Sequence, residues 1–411
     1  MRRKIESKKM KNSNQESSEP SLWKLTGAFF KIGLTAYGMA ILQQLKALII
    51  GKKWLTRRQL DEGLGMVQMY PGPIMYNLAT YGAYRTRGFS GALLGSFVFL
   101  LPSYVLMVVL SWVYFSYGLV SWIHPLFIAL EAMVTGIVAH IFIDFSERYL
   151  KTKAGALVGG LAFLLMLFKV NAFYVIVLAI FLGIALLRDI KRGEKEDGSD
   201  VAMIPGKMSH RIFAIVVTGA GFFTIIAAGL IFEKSSAKLL LSMFKIGAVA
   251  FGSGFTIMPL LQQEAVISHH WLTMKQFADG IAMGQITPGP FLITATFIGY
   301  KVGGIAGSAL ATFGMFFPSF FYTLIVSEIY GKIKHLRPIR QALQGVLASF
   351  TGMLLFVLLS LGKVALTSPL PYIWAVGAFL AVRYLKLNIL WIFAIGIILS
   401  IGCYQFGIVL N

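Results

Sequence analysis

The sequence predicts an all-α polytopic membrane protein made of two inverted structural repeats, with broken or re-entrant helices at Pro-Gly-Pro. Three observations carry this. Charged residues are only 13% of the chain and hydrophobic ones 57%, whereas soluble domains hold about 25% charged residues; mean hydropathy is +0.75. Stretches such as Ile212 to Phe232 and Leu387 to Leu410 carry no acidic or basic side chain, over roughly the 20 residues that cross ~30 Å of hydrocarbon as a helix. The third observation is an internal duplication.

Taken in order, residues 1–22 are polar and rich in Ser, Lys and Glu, which predicts a disordered cytoplasmic tail without the apolar core of a signal peptide. A first repeat, 23–187, holds apolar segments at 25–50, 71–84, 88–117, 120–146, 153–169 and 171–187. A charged linker, 188–211, follows. The region 212–411 supplies an extra helix at 212–232 and a second repeat with segments at 237–266, 288–302, 303–329, 338–362, 370–385 and 387–410. The hydrophobic segments number about 11–13, depending on whether the short units 71–84 and 288–302, which begin at Pro-Gly-Pro, are counted separately.

The duplication is direct. Trp54 to Pro73 reads WLTRRQLDEGLGMVQMYPGP and Trp271 to Pro290 reads WLTMKQFADGIAMGQITPGP, ten of twenty positions being identical without a gap. Phe30-Lys31-Ile32-Gly33 recurs as Phe244-Lys245-Ile246-Gly247, and Leu101-Pro102-Ser103 parallels Phe317-Pro318-Ser319.

Loop charges predict orientation. The tail to Lys24 holds seven Lys or Arg, the linker six and the stretch Lys332 to Arg340 four, which places all three in the cytoplasm. The extra helix then inverts the second repeat, with the N-terminus inside and the C-terminus outside. A spanning 25–50 would put Lys46, Lys52, Lys53, Arg57 and Arg58 outside; re-entrant hairpins at 25–50 and 71–84 keep them inside. Trp54 to Met69 reads as an amphipathic connector on the membrane surface.

Proline lacks an N–H and suits the first turn of a helix. Helices starting after Pro71-Gly72-Pro73 and Pro288-Gly289-Pro290 would point the amides of Ile74 and Phe291 outward, making an anion site from backbone alone. The plainer alternative is a turn before a helix. Lys31 and Lys245 could add positive charge or snorkel to headgroups. Gly38, Gly252 and Gly254 could line a cavity or allow close packing. Gln68 and Gln285 could bind an oxyanion or cap a broken helix. Gln43, Gln44, Gln262 and Gln263 are polar pairs of similar standing. Glu131, an acid within an apolar segment beside His140 and Asp144, is a candidate for proton coupling or for an ion pair. Glu62 and Asp279, equivalent in the two repeats, are expected at the membrane interface, with a protonating role as the alternative.

No metal-ligand cluster, no nucleophile with a base and no phosphate loop followed by Lys is recognisable, so neither a catalytic residue nor a cofactor or metal is expected. The single cysteine, Cys403, excludes an intrachain disulfide. A net charge of +20 without a long basic soluble module argues against nucleic acid. The expected partners are the lipid bilayer and a small anion; a carrier and a channel both remain open, as does a homodimer.

The most specific residues are FGSGFTIMPLLQQE at 251–264, WLT at 271–273, TPGP at 287–290 and FFPSF at 316–320. Together with the first repeat, they resemble the chromate ion transporter family in its long, two-domain form. The first repeat departs from the family's Phe-Gly-Gly-Pro, with Tyr37-Gly38-Met39-Ala40 in its place. The resemblance implies an inner-membrane exporter of chromate, with sulfate as a competitor or counter-ion.

Overall fold

The computed structural model describes residues 20–37, 39–117, 124–187, 204–205, 207–232, 234–251, 254–333 and 337–405. The tail before residue 20, most of the 188–211 linker, Gly38 and Gly252 lie outside them. The described residues are helical, with one isolated β-bridge between Tyr37 and Gly289 and no strand.

The apolar segment 25–50 holds two short helices, α1 (Leu22–Thr35) and α2 (Met39–Gly51), with Ala36 and Tyr37 outside both. Ser21 caps α1 by accepting from the Lys24 amide. The Phe29 ring on α1 meets Trp54 edge-on at 6.3 Å, just beyond the end of α2. The chain has therefore turned back alongside α1, at least as far as its middle. The next helix, α3 (Arg57–Met66), opens with a capping box between Thr56 and Gln59, which satisfies two orphan amides. Its Leu60, Gly63 and Met66 are buried on one stripe, Gly63 against the Tyr81 ring, and Tyr81 donates to the Gln59 carbonyl. The stretch is amphipathic as expected: residues spaced three apart give α3 a packing face, while Arg57, Arg58 and Asp61 stay exposed.

Helix α4 (Ile74–Tyr117) is a hairpin of two arms hinged at Arg87 and Gly88. Gly88 has φ +62°, a region that glycine enters without strain. Gly91 lies against the Ala83 carbonyl and Thr80 bonds Ser96 at 2.8 Å, so the arms are antiparallel. Then come α5 (His124–Tyr149), α6 (Lys153–Leu167), α7 (Ala172–Leu186) and α8 (Met208–Phe232).

The second half repeats the plan with more breaks. Helix α9 (Lys234–Ala248) leads into a 3-10 turn (Gly254–Ile257), the short α10 (Met258–Gln262) and a π turn (Gln263–Ser268). Helix α11 (Met274–Ile286) opens with its own capping box, Thr273 with Gln276. A 3-10 turn (Phe291–Ile293) precedes α12 (Thr294–Ile333), which folds back at Gly303 and Gly304 (φ +58°), with Thr296 bonding Thr312 at 2.7 Å. Helices α13 (Arg337–Ala365), α14 (Pro369–Arg383) and α15 (Ile389–Gln405) complete the chain.

The outer arms of α4 and α12 pack antiparallel. Phe89 meets Phe320 at 6.3 Å, while Tyr104 lies 3.1 Å from Ser308. Matching glycines seat the first helix of each half on its own outer arm: Gly33 against the Phe99 carbonyl, Gly247 against that of Met315. Around this centre each half leans on the other. Gly136 of α5 lies on the Ala375 carbonyl of α14, and Gly352 and Gly345 of α13 lie on Gly159 of α6 and Gly183 of α7. In lipid, such small-residue contacts let helices approach closely. The extra helix α8 is tied on by Phe222 stacked on Phe317 at 3.9 Å and by Arg211 paired with Glu328 at 2.8 Å.

Among the described residues five helices, α4, α5, α8, α12 and α13, are long and apolar enough to cross a bilayer. Phe97, Trp112, Phe181, Phe213 and Ile398 are exposed outward, as on lipid-facing surfaces. The protein is a multi-pass membrane protein.

Candidate functional site

The two Pro-Gly-Pro segments meet the break of the opposite half. The Gly72 amide donates to the Ala250 carbonyl at 2.5 Å, and the Gly289 amide donates to the Ala36 carbonyl at 3.2 Å. Ala36 and Ala250 are matching residues of the duplication, so one contact is made twice. Gly72 has φ +133° and Gly289 φ +101°, conformations that only glycine adopts freely. Each also has a serine against its α-carbon. A β-carbon at Gly72 would collide with Ser319 Oγ and Asn77, and one at Gly289 with Ser103 Oγ.

Ser103, Ser319 and Asn77 are 0% exposed, yet both hydroxyls and both amide atoms of Asn77 lack a protein partner. A buried polar atom left unpaired costs about 1–3 kcal/mol, so hydrogen-bonding capacity stays open at two places, Ser319 with Asn77 at Gly72 and Ser103 at Gly289. Helix α4 begins here, its first i to i−4 bond running from Asn77 to Pro73 at 2.9 Å; the earlier amides, Ile74 included, point away from the helix. The second half is tighter. Ile293 bonds Pro290 at 3.0 Å in the 3-10 turn, Phe291 stacks on Phe255 at 5.0 Å, and Gly254 abuts the Phe291 side chain.

Pro71, Gly72, Pro73 and Ile74 are thus at Ala250 and Ser319, and Pro288, Gly289, Pro290 and Phe291 at Ala36, Ser103 and Gly254. Other expected residues are placed differently. Lys31 and Lys245 are on exposed faces, away from this buried cluster. Gln68 is exposed and caps its own helix through the Leu64 carbonyl, while Gln285 keeps an unpaired buried amide nitrogen. Gly38 and Gly252 are outside the described residues. Gln262 and Gln263 are buried, and Gln43 and Gln44 exposed. Glu131 is 2% exposed and stands beside Asp279, which is 0% exposed. Asp279 is therefore corrected from the interface to the interior: Gly280, next to it, seats α11 on Phe297 and draws the whole turn inward. Ser103, Ser319 and Asn77 were missed as site residues, although the repeated Pro-Ser was the available signal.

A separate cavity of 460 Å³ lies between α4, α8 and α12, lined by Tyr76, Phe97, Phe222 and Phe316 among others. Its walls are aromatic and aliphatic, unsuited to a small polar ligand.

The sequence profile of the chromate transporter family matches residues 23–184 and 237–401. The chain belongs to the chromate transporter family. It is 30% identical to an uncharacterised transporter of Methanocaldococcus jannaschii, over 94% of this chain and 95% of that one. It is 31% identical to a probable chromate transport protein of Synechococcus elongatus, over 84% and 86% of the two chains. It is 28% identical to a chromate transport protein of Cupriavidus metallidurans, over 90% of each. No solved structure matches. The matched stretches leave out α8, so this family member carries its extra helix between the two family units.

Proposed function

We propose that the protein is a secondary transporter that exports chromate or a related tetrahedral oxyanion across the inner membrane. The observation that carries this is the pair of unpartnered serine hydroxyls, Ser103 and Ser319, each against the glycine of the opposite Pro-Gly-Pro. A tetrahedral dianion offers acceptor oxygens on all sides, suiting a serine hydroxyl beside helix-opening amides, Ser319 with those of α4 and Ser103 with those that follow Gly289. The relatives named as chromate transport proteins supply the substrate's name.

The antiparallel outer arms and the twice-made glycine contact support inverted repeats that rock about the crossing point, as in alternating access. The turning back of α2 alongside α1 supports the re-entrant arrangement, which keeps Lys52, Lys53, Arg57 and Arg58 in the cytoplasm with the N-terminus. Direction follows from charge: with the inside negative, moving two negative charges outward is favourable by about 4.6 kcal/mol per 100 mV, from ~2.3 per charge.

The test is chromate flux in liposomes holding purified protein, with sulfate and molybdate as competitors. Saturable chromate transport lost in Pro73→Ala/Pro290→Ala is the expected result. Unchanged flux in that double variant overturns the site, and flux that never saturates identifies a channel.

A further inference from the structure

A second polar cluster stands away from the crossing point. Glu131 on α5 and Asp279 on α11 are both buried, and their carboxyls are within hydrogen-bonding reach of one another. Tyr114, on the outer arm of α4, donates its hydroxyl to Asp279 Oδ2 at 2.5 Å. Glu131 Oε1 and Asp279 Oδ1 are buried and find no donor in the protein. Lys275, one turn before Asp279, acts electrostatically on both carboxyls and has further interactions of its own. Tyr114 from α4 and Lys275 on α11 are the other titratable groups bearing on the pair. From α12 comes the apolar Phe297 ring, which packs on Tyr114 at 5.4 Å.

Two carboxyl groups in contact, each with an acceptor oxygen lacking a donor, are completed by one hydrogen between them. We propose that Glu131 and Asp279 form a proton-binding site, and that its occupancy is linked to anion binding at Pro288-Gly289-Pro290. The linkage rests on the oxyanion reading; the proton site does not.

The duplication makes this one site per chain. The acid matching Asp279 is Glu62, and α13, the counterpart of α5, has no acid along Arg337 to Ala365. The acid pair therefore exists in one half only.

Two covalent paths join the sites. Helix α11 runs from Asp279 straight to Ile286 and on into Thr287 and Pro288, about 14 Å at 1.5 Å per residue. The outer arm of α4 carries both Tyr114, on the acid pair, and Ser103, on Gly289. Charge sets the sign. With Lys275 counted, the bare pair is negative by one unit and the singly protonated pair neutral. A dianion nearby is repelled by the first and not by the second, so proton and anion favour each other's binding, reciprocally. The proton is taken from water on the side where the anion enters, rests on one carboxyl oxygen while the other carboxylate accepts its hydrogen bond, and returns to water where the anion leaves, so proton and dianion together carry one negative charge outward, still down the inside-negative potential but with half the drive of the dianion alone. No bond to the anion is made or broken.

The test compares wild type with Glu131→Gln and Asp279→Asn in the full-length protein. Infrared titration should show a protonated-carboxyl band that forms in wild type and is missing in both variants. Its absence from wild type, or its persistence in both variants, overturns the proton site whether or not chromate binds. Chromate affinity in wild type should strengthen on acidification by up to about tenfold per pH unit, and this should flatten in Glu131→Gln. Protonation of chromate itself is common to both proteins and cancels in the comparison. Equal pH dependence in wild type and variant overturns the linkage. A melting temperature of Glu131→Gln close to that of wild type shows that the variant is folded; if it is lower, Glu131→Asp must restore it together with the pH dependence, and failure to do so counts against the proposal. Wild type that never binds chromate sinks the oxyanion reading and leaves the infrared result to decide the proton site.

Discussion

Ser103 and Gly289 touch across the two halves of the chain, the serine hydroxyl occupying the space that a β-carbon on the glycine would need. Ser319 and Gly72 make the matching contact. Neither serine has a protein partner. Removing such a hydroxyl relieves an unpaired buried group, so Ser103→Ala and Ser319→Ala should leave melting temperature unchanged or slightly raised. A bound anion would lose a charge-assisted hydrogen bond of about 1.5–3 kcal/mol, weakening binding roughly 10- to 100-fold. Thermal unfolding in detergent alongside chromate binding checks both; affinity retained in Ser103→Ala/Ser319→Ala removes the serines from the site.

Gly72→Ala and Gly289→Ala should behave differently. Both positions have φ beyond +100°, where an L side chain costs about 1–3 kcal/mol, and the new methyl group meets a serine besides. Transport and stability should fall together. Adding Ser103→Ala to Gly289→Ala should recover part of the stability, since the collision is relieved and only the backbone strain stays. Melting curves of the single and double variants measure this, and full additivity would show that the contact is not shared.

The extra helix α8 hangs on a charged contact. Arg211 and Glu328 side chains are 12% and 10% exposed, at 2.8 Å, and Tyr84 donates to the same carboxylate at 2.6 Å. Glu328→Ala strands the guanidinium and should cost about 3–5 kcal/mol. Tyr84→Phe removes one hydrogen bond to a charged group, about 1.5–3 kcal/mol. Unfolding curves that rank Glu328→Ala no worse than Tyr84→Phe would show that Arg211 is supported by its other contacts, such as the Ile204 carbonyl at 2.7 Å.

Much of this was legible in the sequence for physical reasons. Pro-Gly-Pro ends one helix and starts another wherever it occurs, so the breaks at 71–73 and 288–290 could be read locally, and the repeat of Trp-Leu-Thr fixed their equivalence. The hairpin turns at Gly88 and Gly304 separated segments 71–84 from 88–117 and 288–302 from 303–329. What could not be read was pairing between distant helices. Ser103 acquires its meaning from Gly289, and Asp279 from Glu131 and Tyr114, and none of these contacts has a local signature. Lys31 and Lys245 could be read two ways, as cavity charges or as snorkelling side chains, and their outward helix faces fit the second.

The arrangement of the halves yields the sharpest prediction. Ser90 and Ala306 are matching residues just past Gly88 and Gly304, and both are exposed. In the antiparallel packing of the outer arms, Phe89 lies beside Phe320 and Ile305 beside Tyr104, so the two turns are at opposite ends of the arms. With Cys403 replaced by serine as background, Ser90→Cys should react with a membrane-impermeant maleimide only from the cytoplasmic side, and Ala306→Cys only from outside. Lys53→Cys, at the end of the α1–α2 hairpin, should follow Ser90→Cys. Labelling of both Ser90→Cys and Ala306→Cys from one side would make the halves parallel and remove the basis for rocking about the crossing point. Labelling of Lys53→Cys from outside would instead show that the first segment spans, leaving the inversion of the outer arms intact.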